Sequence, residues 1–330
     1  MKSVVPMMLE PSSSGGFPWG KKGFALLVVI VVLLLASFLA SQLTLDVRTE
    51  YRIALHAQER NRAALLAESG INIALFRLLD RPVDLTAEEE FGAMVAGREY
   101  RHRLNGGQVV YHAANESGKI DLNSADPQLL ALFLRYQGLT MEQAAVIGDS
   151  LQDWRDNDTM ARLNGAEQEY YMHLPEPYQP RNGAMEDPSE FFLLRGTAPL
   201  AGRFAAGEVF TIHNSAKKIN VNSLTPAMLD FLVNGDQARR EAYLAARQGL
   251  PALNAAATQQ ILGPERFAEL EPFLAYEDGA ASLYYTITAT GLPGAGEGRQ
   301  ASSPAGLTVQ ALVRLLANGY QILAWQEYYS

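Results

Sequence analysis

Apolar residues run from Phe24 to Leu45 without one charged position. Those 22 residues, at about 1.5 Å of helical rise each, reach roughly 33 Å. A bilayer's hydrocarbon core is about 30 Å thick. Lys21 and Lys22 stand directly before the run, as cytoplasmic flanks of membrane helices do. A cleaved secretory signal is the rival reading, and it needs a small-x-small site behind a shorter apolar core. No pair from Ala36/Phe38 to Ser41/Leu43 is small at both ends, so the pattern predicts a retained membrane helix over 24–45. Helical spacing then continues through Val47, Tyr51, Leu55, Leu65, Leu66, Ile71, Leu75 and Leu78, with charges such as Arg48, Glu59 and Arg62 between them. An amphipathic stem over 46–80 is expected, so one helix from Phe24 to Leu79 would be half span and half stem. Ala67–Asn72 is a face of mostly small residues suited to close packing on a sheet.

Over 97–113 the period changes from helical to alternating. Tyr100, His102 and Leu104, then Val109 and Tyr111, flank Asn105-Gly106-Gly107, a hairpin signal. Helical segments follow at Glu142–Trp154, Ser189–Arg195, Ala238–Arg247 and Pro264–Leu274. Alternation returns at Ser282–Thr290, Leu307–Leu315 and Tyr320–Tyr328, with the Gly-, Pro- and Ser-rich Gly291–Gly306 read as a loop. The expected fold class is therefore α+β. A long N-terminal helix meets a small antiparallel sheet from 97–117 and 280–330, and a large all-α insert over 118–275 interrupts the sheet.

The insert carries an internal repeat. Lys119-Ile120-Asp121-Leu122-Asn123-Ser124-Ala125-Asp126-Pro127 comes back 99 residues later as Lys218-Ile219-Asn220-Val221-Asn222-Ser223-Leu224-Thr225-Pro226. The copies extend over 119–130 and 218–229, each ending in paired apolar residues. Alternating apolar positions make a short extended start. Asn and Ser suit turn and helix-start amides, and Pro suits the first helical turn. Each copy should open a small helical bundle.

Composition narrows the function. The chain has 330 residues, no cysteine and a formal charge of −9. Disulfides, a lipoprotein anchor and thiolate metal sites are thereby excluded. Residues 1–23 hold three lysines and one glutamate, so the chain from Phe24 onward sits near −11. That balance argues against wholesale nucleic-acid binding, which depends on Lys and Arg neutralising phosphate. Neither Phe133–Gly148 nor Leu232–Leu250 has the Gly-hydrophobic-Gly turn with which helical hairpins hold DNA phosphate. Catalysis finds no support, because Gly-x-Ser-x-Gly, His-Glu-x-x-His and a phosphate loop are all missing and the five histidines are scattered.

One segment is rich in oxygen ligands. Asp153, Asp156, Asp158, Glu167 and Glu169 fall within 17 residues, with Asn164-Gly165 shaping a turn. Ca²⁺ takes several such oxygens from a flexible loop. An EF-hand is not the answer: counted from Asp156, Asp158 is third and Glu167 twelfth, but Ala161 stands where glycine is required. The two open readings are a Ca²⁺ site and a solvated acidic loop whose aspartates cap helices.

Gly23-Phe24 behind two lysines resembles the prepilin-peptidase site of type IV pilins and type II secretion pseudopilins. That resemblance implies cleavage between Gly23 and Phe24, with methylation of the new N-terminal Phe24. Most such chains carry glutamate five residues into the mature protein, where this one has Val28. With the repeat, the element order, Asp153–Asp158, Arg162–Glu167 and Tyr170-Tyr171, the chain after its leader (1–23) resembles the K-type minor pseudopilin of type II secretion systems. The resemblance implies a pilin-like helix and sheet whose insert contains two units like SAM or helix-hairpin-helix folds, and it favours Ca²⁺ in the acidic segment. It further implies a single-pass inner-membrane protein with a periplasmic body at the pseudopilus tip. The implied partners are I- and J-type minor pseudopilins, prepilin peptidase and the inner-membrane assembly platform. A tip subunit has no neighbour above to meet the missing carboxylate, so Val28 is permitted there. The alternative is a pilus or competence minor pilin that binds DNA through the insert.

Overall fold

A computed structural model describes residues 20–79, 94, 98–214, 217–250, 252–277, 283–294 and 306–329. The leader through residue 19, stem residue 80, and sheet residues 97, 280–282 and 330 lie outside them. The described residues up to Glu59 form one unit and those from Arg60 another.

Helix α1 covers Gly20–Leu79, beginning inside the last residues of the expected leader. It is the one helix among the described residues long and apolar enough to cross a membrane. From Leu26 to Ala54 every side chain is exposed. Thr44 and Thr49 return their hydroxyl protons to the carbonyls of Ala40 and Leu45, so neither leaves a bare donor on the apolar surface.

In the second unit α1 buries its small-residue face. Ala63, Ala67, Ile71, Ala74 and Leu75 lie against alternate residues of three strands. These are β2 (Gly107–Asn115), β7 (Tyr284–Pro293) and β8 (Leu307–Leu316). The fit depends on glycine: a Cβ on Gly70 would stand 2.5 Å from Val109 Cγ2, and one on Gly291 would stand 2.0 Å from the Ala63 carbonyl oxygen. With β1 (Tyr100–Leu104) and β9 (Gly319–Tyr329) the sheet has five strands, ordered β1-β2-β7-β8-β9. All its pairings are antiparallel. Asn105-Gly106 turns the first hairpin, with Gly106 at φ +112°.

The expected Gly291–Gly306 loop does not begin at Gly291, because β7 runs on to Pro293; residues 295–305 lie outside the described residues. Gly291 pairs with Val109 on one side and Leu307 on the other, and α1 comes so close there that only glycine fits. The helix expected over Pro264–Leu274 also stops early, at Leu270. Pro272 disfavours helix in the residue before it, and one 3₁₀ turn, Glu271–Phe273, follows. Ser189–Arg195 is likewise a 3₁₀ turn, Pro188–Leu193.

Asn115 of β2 sits opposite Tyr285 of β7. The insert therefore takes the place of a hairpin turn between two neighbouring strands. Each repeat copy opens a unit that closes on itself through a two-residue parallel bridge. In the first, β3 (Ile120–Asp121) pairs with β4 (Phe210–Thr211) around α2 (Pro127–Tyr136), α3 (Met141–Arg155), α4 (Gln168–Met172) and α5 (Ala206–Val209). In the second, β5 (Ile219–Asn220) pairs with β6 (Leu274–Ala275) around α6 (Pro226–Leu232), α7 (Gln237–Gly249), α8 (Ala255–Leu262) and α9 (Pro264–Leu270). Both units share one core, where Phe133 meets Phe210 and Phe231 edge-on.

The repeat residues do more than start helices. Asp126 and Thr225 cap α2 and α6, each followed by its proline. Asn123 and Asn222 instead reach across their units, binding both backbone groups of Met185 and Leu253 respectively.

Candidate metal centre

The acidic segment begins on the last turn of α3. Asp149 and Asp153, four residues apart, point from one face of that helix into the loop behind it. Asp149 Oδ2 accepts the backbone and side-chain N–H of Asn164. Asp153 is fully buried. It accepts the backbone N–H of Arg162 and, at 2.6 Å, the Arg162 guanidinium. The same Nη1 lies 2.6 Å from Asp156 Oδ2, and these two carboxylates hold the guanidinium pKa above its ordinary value. Gly165 closes the loop over Asp153; a Cβ there would stand 1.9 Å from Asp153 Oδ2. Behind the loop Tyr171 is buried against Trp154 and Tyr178. Trp154 in turn donates to Glu190, which Arg181 also binds.

On this frame Asp156, Asp158 and Glu167 converge, each offering an oxygen within 4.8 Å of the others. Asp158 Oδ1 accepts the Met160 N–H. Asp156 Oδ1 and both carboxylate oxygens of Glu167 are buried without a hydrogen-bond partner. Glu167 is only 7% exposed. Burial first, and then the charges of Asp153, Asp156 and Asp158, push its pKa above the ordinary 4.5. A buried carboxylate with neither donor nor cation is costly, so these orphaned oxygens fit a positive ion. Three carboxylates in an irregular loop match a hard cation that also draws on backbone carbonyls and water, as Ca²⁺ does.

Two of the five acidic residues stand apart from that trio. Asp153 is committed to Arg162. Glu169 is exposed in the first turn of α4, where its carbonyl meets His173 Nδ1. Composition did not single out Arg162 as the bridge between Asp153 and Asp156, nor Asp149 as the loop's anchor, although the i, i+4 spacing of Asp149 and Asp153 is written in α3. Arg155, the other nearby base, turns away and donates to the Leu122 carbonyl. At the other end of the chain, Gly23, Phe24 and Val28 all lie within α1, and the Phe24 and Val28 side chains are exposed.

The profile of the family described as type II secretion system (T2SS), protein K, matches residues 105–202, from the first hairpin turn through most of the first insert unit. A type II secretion system protein K from Klebsiella pneumoniae is 26% identical over 276 residues, covering 77% of this chain and 84% of its own. Its namesake in Pectobacterium carotovorum subsp. carotovorum is 26% identical over 230 residues, covering 62% and 67%. Among solved structures, a chain of the GspK-GspI-GspJ complex from the enterotoxigenic Escherichia coli type 2 secretion system has a similar fold. It aligns with a TM-score of 0.52 at 19% identity, over 86% of this chain and all of that one.

Proposed function

We propose that this chain is a member of the type II secretion system protein K family and that it stands at the tip of the pseudopilus. There, as a minor pseudopilin of type II secretion, it would start or cap assembly together with I- and J-type minor pseudopilins. The observation that carries the reading is the position of the insert. Gly291 lies on Ala63, Gly70 on Ala289, and Arg77 on Tyr111. Residues 60–79 of α1 therefore run toward the Asn115–Tyr285 end of the sheet, where the insert is attached. A body of that size beyond the end of the helix would obstruct a subunit stacking above it. The solved complex of the structural relative, in which GspK is joined with GspI and GspJ, supports the choice of partners.

The reading includes cleavage by prepilin peptidase between Gly23 and Phe24 and N-methylation of Phe24. Glycine lets the backbone fit a protease at the membrane surface. It also includes an inner-membrane span with the body in the periplasm, where α1 meets the assembly platform. An ionisable group in the bilayer needs a partner; Val28 requires none from a subunit above. Asp156, Asp158 and Glu167 would hold Ca²⁺, which supplies the positive charge their buried oxygens lack. DNA binding through the insert is disfavoured by its arginines. Arg240 pairs with Asp230, Arg239 with Asp236, and Arg266 with Glu269 and the Phe231 carbonyl.

Intact-mass analysis of membrane-extracted protein tests the processing step. A chain starting at Phe24 with one added methyl is expected; Met1, or a start near Ser41, would overturn it.

A further inference from the structure

An open cleft of about 530 Å³ lies between the first insert unit and the sheet face of β8 and β9 that points away from α1. Its floor is mixed: Phe210, Ile212, Leu312 and Leu323 lie beside Gln310, Gln326 and Tyr328. Its walls are acidic: Glu116, Glu186, Asp187 and Glu208 face it, against Lys119 and His213. Asp187 is held by Ser189, and Glu186 by Arg181. The Glu208 carboxylate has no hydrogen bond or ion pair among the described residues, and its charge acts on His112. At the inner end Glu116 is 3% exposed. Lys119 Nζ and Thr286 Oγ1, each at 2.6 Å, both bind its Oε1, and the side chain lines the cleft.

We propose that this cleft receives an extended segment of a partner protein bearing a lysine or arginine. The aliphatic stem of such a side chain lies along Ile212, Leu312 and Leu323, and the cationic head meets Glu208. A neutral segment brings no cation to Glu208, and an acidic one sets like charge against it, which is the source of the selectivity. The cleft is remote in sequence from Asp156–Glu167, so it stands or falls separately from the cation site.

Titrating full-length protein in detergent micelles with Ac-Val-Lys-Val-NH2 and with Ac-Val-Glu-Val-NH2 tests the proposal. The lysine peptide should bind saturably and the glutamate peptide should not. Glu208→Gln should weaken lysine-peptide binding by about tenfold, the loss expected for one charge-assisted contact. Leu323→Ser, on the partly exposed floor, should weaken it as well. Melting curves identify any variant that fails to fold, and the other variant then carries the test. Absence of saturable binding, equal binding of the two peptides, or indifference of folded variants would overturn the proposal.

Discussion

Asn123 and Asn222 hold equivalent places in the two repeat copies, and each reads a distant residue through both ends of one amide. Asn222 Oδ1 accepts the Leu253 N–H at 2.7 Å, and its Nδ2 donates to the Leu253 carbonyl at 3.1 Å. Asn123 does the same to Met185. Asn222 is the more deeply buried. Asn222→Ala should therefore cost about 2–3 kcal/mol by stranding buried backbone groups, and Asn123→Ala less; urea unfolding midpoints measure both. The repeat itself is plain in the sequence. Its clamping role was not, because each partner sits on a loop that only the closed unit brings near. Copy one keeps Asp121 where copy two has Asn220, and the bonds give the reason. Asp121 uses one oxygen for the Asn123 and Ser124 N–H groups and the other for Asn214, whereas Asn220 donates to Ser117 Oγ. His112, in β2, titrates where it can be read. Burial lowers its pKa below the ordinary 6.5, with Glu208 and Glu99 opposing. The unfolded chain thus binds the proton more readily, and stability must fall as pH drops through 6.5. His112→Gln should flatten that fall in melting temperature between about pH 7 and pH 5.

At the scale of elements, the loop from Asp156 to Glu167 is where sequence and structure divide. Acid spacing alone named Asp153, Asp156, Asp158, Glu167 and Glu169 together. It could not separate Asp153, because the choice of partner for Arg162 depends on the loop folding back onto α3. Any ligand bound only by the folded state stabilises it, by about 2.7 kcal/mol at a hundredfold excess over its dissociation constant. Chelation should therefore lower the melting temperature of the full-length protein, and calcium should restore it. Glu167→Gln or Asp158→Ala should remove most of that response. Mg²⁺ should replace calcium poorly, since it demands tighter octahedral geometry and holds its water. Melting indifferent to calcium and chelator would leave a solvated acidic loop. The helix–sheet contact was more legible: the small residues of Ala67–Asn72 do meet a sheet. The depth of that contact, with Gly291 against Ala63, was hidden inside a Gly-rich stretch that reads as a loop.

For the whole molecule, the order of long helix, hairpin, helical insert and closing strands followed from changes of period along the chain. Two facts lay beyond that pattern. The insert joins two strands that pair with each other, which rests on the register of Asn115 with Tyr285. Both insert units share a single core, since Phe133 of one touches Phe231 of the other. On the proposed reading, an insert anchored at the end of the sheet obstructs a subunit stacking above it, so this chain would end an assembly. Co-expression of the full chain with candidate I- and J-type minor pseudopilins, followed by native mass spectrometry of the detergent-extracted material, tests this most directly. The account predicts one discrete complex containing a single copy of this chain with both partners. Recovery of this chain alone, or as a homopolymer, in the presence of both partners would contradict it.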